Sequence, residues 1–246
     1  MSLKNIEQEI CANKIKFPFK SANKILLEIK KEQGEKKYNS ILHEYDLHSF
    51  KCGNKNVIQV NLEKDHLSEV GLIADNICKD NLKLKPDYTF AGKAGEMIFA
   101  IVVNRFFKVF SLQKELVLNE NSFVYGGDGG GDFFIGNRVI DVKYRDETPS
   151  HGMILDSDFL DRTDDSTIFV HTTNVSTKIG NMAVYKNSEQ VLPLAVSGWT
   201  TADFFKKNSK KMNGILNKYT LDNLFSIKSL LLDIVEDQIE FEKMTL

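Results

Sequence analysis

Cysteine is scarce in this chain of 246 residues: Cys11, Cys52 and Cys78 stand far apart, with no C-x-x-C pair. An odd, scattered set supports neither a disulfide framework nor a zinc site, and it fits a reducing cytoplasm. Proline is nearly as scarce, with four residues, so no Pro-rich linker divides the sequence. Long apolar runs are missing as well. The longest, Met97–Val103, ends at Asn104 and Arg105, far short of the roughly 20 residues that span a bilayer. The opening MSLKNIEQEI is polar and charged, unlike a secretory leader. Together these absences predict a cytoplasmic protein that does not cross a membrane.

An excess of one charge sign is also lacking, since 32 Lys+Arg against 34 Asp+Glu leave a net charge of −2. No global positive field therefore announces a nucleic-acid partner, although a local basic patch remains compatible with this balance. Arginine is limited to Arg105, Arg138, Arg145 and Arg162. Bidentate reading of guanine edges favours arginine, so rich major-groove readout is not expected. What is present is an ordinary globular composition, 42% hydrophobic and 27% charged. At this length it can bury a sizeable core in one large domain or two small ones.

Periodicity predicts helices over residues 1–33, interrupted at Gly34, and again over Asp65–Asn81, with a short strand at Val57–Leu62 between them. Ala91–Phe110 reads as a strongly apolar helix that Asp87 or Thr89 can cap. Beyond residue 122 the period changes. Strands are predicted at Phe123–Tyr125, Asp132–Ile135, Arg138–Tyr144, Thr167–Thr172, Met182–Tyr185 and Val191–Val196. Thr200 or Thr201 then caps a short helix. Leu221–Glu242 forms an amphipathic terminal helix with Leu224, Ile227, Leu231, Ile234 and Val235 inward. The expected fold is α/β, a central mixed sheet flanked by helices. Residues 1–85 form an α-rich region packed on a core at 86–246, and the terminal helix closes the chain.

The chemistry concentrates in GGDGGGDFFIGNRVIDVKY, residues 126–144. With Gly136-Asn137 as a two-residue turn, Ile135 faces Arg138, Phe134 faces Val139, Phe133 faces Ile140 and Asp132 faces Asp141. Lys143, two residues past Asp141, projects from the same face. Opposed carboxylates repel, and a divalent cation between them reverses the sign of that interaction. Carboxylates, the Val142 carbonyl and water are the ligands that Mg²⁺ prefers, with Mn²⁺ as a substitute. Such an ion polarises a phosphoryl oxygen and activates water, and Lys143 can orient that water or stabilise phosphate charge. The residues describe metal-assisted hydrolysis of a phosphodiester.

Asp132 followed by Asp141-Val142-Lys143 after a short hairpin resembles the signature of the PD-(D/E)XK, or restriction-endonuclease-like, nucleases. Gly131 stands where that family has proline. Many members add a glutamate from a helix before the hairpin, and Glu96 in AGKAGEMIFA matches that element. The Gly-Trp pair in VLPLAVSGWTTADFF also resembles family members. The likeness covers about residues 90–205. It implies a restriction-endonuclease-like core and a Mg²⁺-dependent endonuclease, acting on DNA in the first instance. Asp132 and Asp141 would bind the metal with the Val142 carbonyl, Glu96 would complete the site, and Lys143 would assist the attacking water. An RNA endonuclease shares all this chemistry, and an inactive nucleic-acid-binding or assembly protein shares the fold. A homodimer is compatible with either.

Other residues compete less well. Asp128 is an alternative ligand to Asp132 but lies outside the hairpin register, where a turn role suits it better. Glycines 126, 127, 129, 130 and 131 lack a following G-K-[ST], so a flexible turn is the better reading than a nucleotide cradle. His43, His48, His66, His151 and His171 show no zinc spacing; His151, in the loop after the DVK strand, is a candidate substrate contact. Lys206, Lys207, Lys210 and Lys211 are candidate phosphate contacts beside their commoner role as solvated residues. Trp199 reads as a core anchor.

Overall fold

The computed structural model describes residues 27, 30–31, 34–52, 55–80, 82–118, 131–135, 138–145, 152–175, 182–186, 188–212, 216–219 and 224–245. In chain order the elements are α1 (Glu35–His48), β1 (Ser49–Cys52), β2 (Lys55–Leu62), α2 (Lys64–Asp80) and α3 (Pro86–Phe110). Next come β3 (Phe133–Ile135), β4 (Arg138–Arg145), β5 (Met153–Asp156), α4 (Ser157–Arg162) and β6 (Ile168–Asn174). The chain continues through β7 (Leu192–Thr201), α5 (Ala202–Asn208), β8 (Lys210–Met212), β9 (Leu216–Tyr219) and α6 (Ile227–Thr245). A six-stranded mixed sheet runs in the order β1-β2-β7-β6-β4-β3, and a second, three-stranded sheet runs β5-β9-β8. In the large sheet only β4 and β6 pair in parallel. A parallel pair needs a crossover, and the segment carrying β5 and α4 supplies it.

β6 is buried along its whole length, as a central strand covered on both faces must be. α3 is the principal cover. From Phe90 to Phe110 most of its side chains are buried, which is why that stretch reads as apolar all round. It starts at Pro86, whose fixed φ suits a first helical position, and ends where Ser111 turns left-handed at φ 59°. Asp87 and Thr89 therefore lie inside the helix and Lys85 stands at the cap position; the Thr89 hydroxyl bonds back to the Lys85 carbonyl at 3.2 Å.

Several other expectations change. Met182–Tyr185 is a 3₁₀ turn, not a strand; a four-residue apolar run fits either. The terminal helix starts at Ile227, six residues later than Leu221, because Phe225 is held in a β-bridge to Trp199. Thr201 is the cap of α5, its hydroxyl accepting from Phe204 N–H at 3.2 Å. The strand expected at Val57–Leu62 is present as β2, preceded by β1, and its antiparallel pairing with β7 carries the large sheet across residue 85. Phe123–Tyr125, Asp128, His151, glycines 126–130, the Gly136-Asn137 turn and nearly all of residues 1–33 lie outside the described residues. No helix among the described residues is long and apolar enough to cross a membrane.

Candidate active site

The β3–β4 hairpin has the register Ile135↔Arg138, Phe134↔Val139 and Phe133↔Ile140. Asp132 stands one residue before β3. Its N–H donates to the Ile140 carbonyl at 2.9 Å, and its carboxylate accepts from the Val142 N–H at 2.7 Å. The side chain thus does the work of a backbone carbonyl and carries the ladder beyond the strand's end. Gly131 allows this entry. A Cβ there would meet Val139 Cγ1 at 2.3 Å and the Ile140 carbonyl oxygen at 3.3 Å, contacts no side chain tolerates without displacement.

A second glycine brings the helix in. A Cβ on Gly95 would lie 2.5 Å from Thr172 Oγ1 and 3.0 Å from Tyr144 Cβ, so α3 sits closer to β4 and β6 than any larger residue permits. Its neighbour Glu96 is 6% exposed, as is Asp141. Lys93, one turn earlier on α3 and equally buried, donates to Glu96 Oε2 at 2.6 Å. Lys143 donates to Asp141 Oδ1 at 2.7 Å, and its ammonium stands 4.3 Å from the centre of the Phe159 ring. Sequence reasoning passed over Lys93 and Phe159. The K-x-x-E spacing of Lys93 and Glu96 on one helix face is the signal that could have found the first.

Burial pushes the Glu96 carboxyl up to about 8, with repulsion from Asp132 adding and the Lys93 ammonium opposing; Asp141 contributes a smaller repulsion. Burial likewise lifts Asp141 to about 7; Lys143 opposes, while Asp132 raises it both by repulsion and by a carboxyl–carboxyl hydrogen bond. Three acids from three separate segments therefore sense one another in a desolvated place. Among the described residues no three His, Cys, Asp or Glu side chains form a ready metal-binding group. Glu96 is engaged by Lys93, Asp141 by Lys143 and Asp132 by the Val142 N–H.

The remaining candidates sort themselves by their contacts. Lys206 bonds the Thr163 carbonyl at 2.8 Å and Asp165 at 2.7 Å, and Lys207 pairs with Asp203 at 2.7 Å. Lys210 and Lys211 are exposed. His171 is buried against Ser197, whose Oγ lies 2.6 Å from the His171 Nδ1 and 3.1 Å from its carbonyl oxygen. Trp199 is 3% exposed and donates to the Ser226 carbonyl at 3.0 Å and to Ser229 Oγ at 2.9 Å, which makes it a core anchor. A Cβ on Gly198 would meet the Phe225 carbonyl oxygen at 2.7 Å, so the Gly-Trp pair admits the segment leading into α6.

At the other end of β4, Arg138 pairs with both Asp233 and Asp237 of α6. Burial raises Asp233 to about 8 against the pull of Arg138, and Asp237 and Glu236 add to the rise. Comparison with protein-family models, curated proteins and solved structures gives no match.

Proposed function

We propose that this chain is a divalent-metal-dependent nuclease with a restriction-endonuclease-like core, hydrolysing phosphodiester bonds in DNA. The observation that carries the reading is the convergence of Glu96 from α3, Asp132 before β3 and Asp141 on β4, with Lys143 ion-paired to Asp141. Like charges gathered from three segments into a buried place oppose folding unless a cation answers them. Carboxylate and main-chain carbonyl oxygens are the donor set of a hard cation such as Mg²⁺ or Mn²⁺. Asp132, Asp141 and Glu96 would hold it, with the Val142 carbonyl. When bound, the ion supplies Lewis-acid polarisation of the phosphate and a water of lowered pKa. Lys143 orients the attacking water and stabilises charge developing on the phosphoryl oxygens. Lys93 keeps the Glu96 carboxylate in place beside them.

The test incubates the purified chain with supercoiled, linear and single-stranded DNA and with RNA, in Mg²⁺ and in EDTA. Cleavage of DNA in Mg²⁺ alone, lost in Asp132→Ala, is the expected result. Cleavage confined to RNA overturns the DNA assignment. Binding without cleavage of any nucleic acid overturns the enzyme and leaves a binding module. A thermal melt raised by Mg²⁺ in the wild type and not in Asp132→Ala reports the metal independently of turnover.

A further inference from the structure

We propose that Phe159 is a positioning residue for Lys143, an inference that rests on the nuclease reading above. The ring is fixed before it meets the lysine. The Asp156 carboxylate caps α4, accepting from the Asp158 N–H at 2.8 Å and the Phe159 N–H at 3.4 Å. The Phe159 side chain then packs tilted on Phe169, with ring centres 6.0 Å apart, and Phe169 is itself wholly buried and set edge-on to Phe205 at 6.2 Å. In the sheet register Phe169 is the neighbour of Asp141. Asp141 holds Lys143, and Lys143 lies over Phe159 at 4.3 Å. Asp141 on its strand and Phe159 on α4 thus locate the ammonium from two directions.

Two anchors are needed because one is shared. A lysine ends a flexible four-carbon stem and carries a compact charge that swings easily. Asp141 is also assigned to the cation, and a hard divalent ion prefers its oxygens to any aromatic face. An ammonium anchored by Asp141 alone would loosen whenever that carboxylate turned elsewhere. The ring face is a contact for which the divalent ion does not compete, and it attracts the ammonium through its quadrupole.

The bland alternative is that Phe159 only fills space between α4 and β6, and the test separates the two. Phe159→Leu keeps an apolar side chain and removes the π-face; Phe159→Tyr keeps the face. Cleavage of supercoiled DNA in Mg²⁺ gives kcat and KM, and ¹H–¹³C NMR of the Lys143 ε-methylene reports ring-current shift without reference to activity. We expect Phe159→Leu to lower kcat roughly three- to thirty-fold, the span of a cation–π contact, with KM within about twofold. Phe159→Tyr restores wild-type kcat, and the upfield ε-methylene signal is present in wild type and Phe159→Tyr and lost in Phe159→Leu. Should Phe159→Leu lower the melting temperature, Phe159→Met fills the same space without a π-face and takes its place. Wild-type kcat in Phe159→Leu, equal losses in Leu and Tyr variants, or an unshifted wild-type ε-methylene each overturns the proposal. If the wild type cleaves no nucleic acid, the nuclease reading falls by itself. The NMR arm then decides the positioning, an upfield signal supporting it and an unshifted one overturning it.

Discussion

The two ends of β4 carry the same imbalance and use it differently. At its start, Arg138 meets two aspartates; toward its far end, Lys143 meets Asp141, Lys93 meets Glu96, and Asp132 is held by the Val142 N–H. At both, burial drives a carboxyl up to about 8, Asp233 in one case and Glu96 in the other. The acids' origins differ. Asp233 and Asp237 stand one turn apart on a single helix, and a planar two-pronged guanidinium spans them, fastening α6 to the hairpin. Glu96, Asp132 and Asp141 come from three segments; point-charge ammoniums meet Glu96 and Asp141, and a backbone N–H meets Asp132. On the proposed reading, the desolvation of Glu96 and Asp141 is tolerated because a bound cation would answer it.

The sharpest way to break this contrast is Asp141→Asn. Cleavage should fall by roughly two to four orders of magnitude, while the thermal melt stays level or rises, because a buried carboxyl that faces Asp132 and Glu96 is gone. A fall in melting temperature would make Asp141 a fastener like Arg138. The reciprocal variant, Arg138→Met, should lose about 3 kcal/mol in urea unfolding, since it strands Asp233 without its partner. Its cleavage rate per folded molecule should be unchanged. A rate that drops with stability would join the two ends into one unit.

The gentlest test uses pH. Folded Glu96 and Asp141 keep their protons up to about 8 and about 7, against ordinary values of 4.5 and 3.8. The folded state thus binds more protons than the unfolded chain across that window. Its stability is fully present below the ordinary values and is lost as pH rises through the raised ones. Asp233, raised in the same direction, adds to the decline. The metal-free melting temperature should therefore fall by several degrees between mildly acidic and mildly alkaline pH. Glu96→Gln should flatten the site's share of that fall and Asp233→Asn the other share. Mg²⁺ should restore the loss due to Glu96 and Asp141 and leave that due to Asp233.

The hairpin was legible in the sequence because its register depends on neighbours close in the chain: a turn pair with apolar residues on either side. α3 was legible because a helix buried nearly all round needs an apolar run. Burial of Lys93 was not legible, since a lone lysine in such a run looks the same whether it finds water or Glu96. The small sheet was hidden for a related reason. Its partners, such as Met153 and Tyr219, are joined only across a long stretch of chain, and three- or four-residue strands leave no period to read. The Arg138 fork depends on α6 returning to β4, which no local pattern encodes.

The pairing of β2 with β7 also orders events in time. Ile58 lies beside Val196, and β7 separates β2 from β6. β1 and β2 are synthesised well before β7, the strand that pairs with the other edge of β2, where Val57, Ile58, Val60 and Leu62 are buried in the finished fold. The strand that joins it is the last of the large sheet to be synthesised, and it enters at the centre, between elements already present. Closure over so long a separation is slow, and the waiting edge is open to other chains. The carboxylate cluster sits on β4, next to the strand β6 that β7 locks from its other side. The candidate catalytic hairpin is thus supported by chain made after it: β7 through β6, and α6 through Arg138.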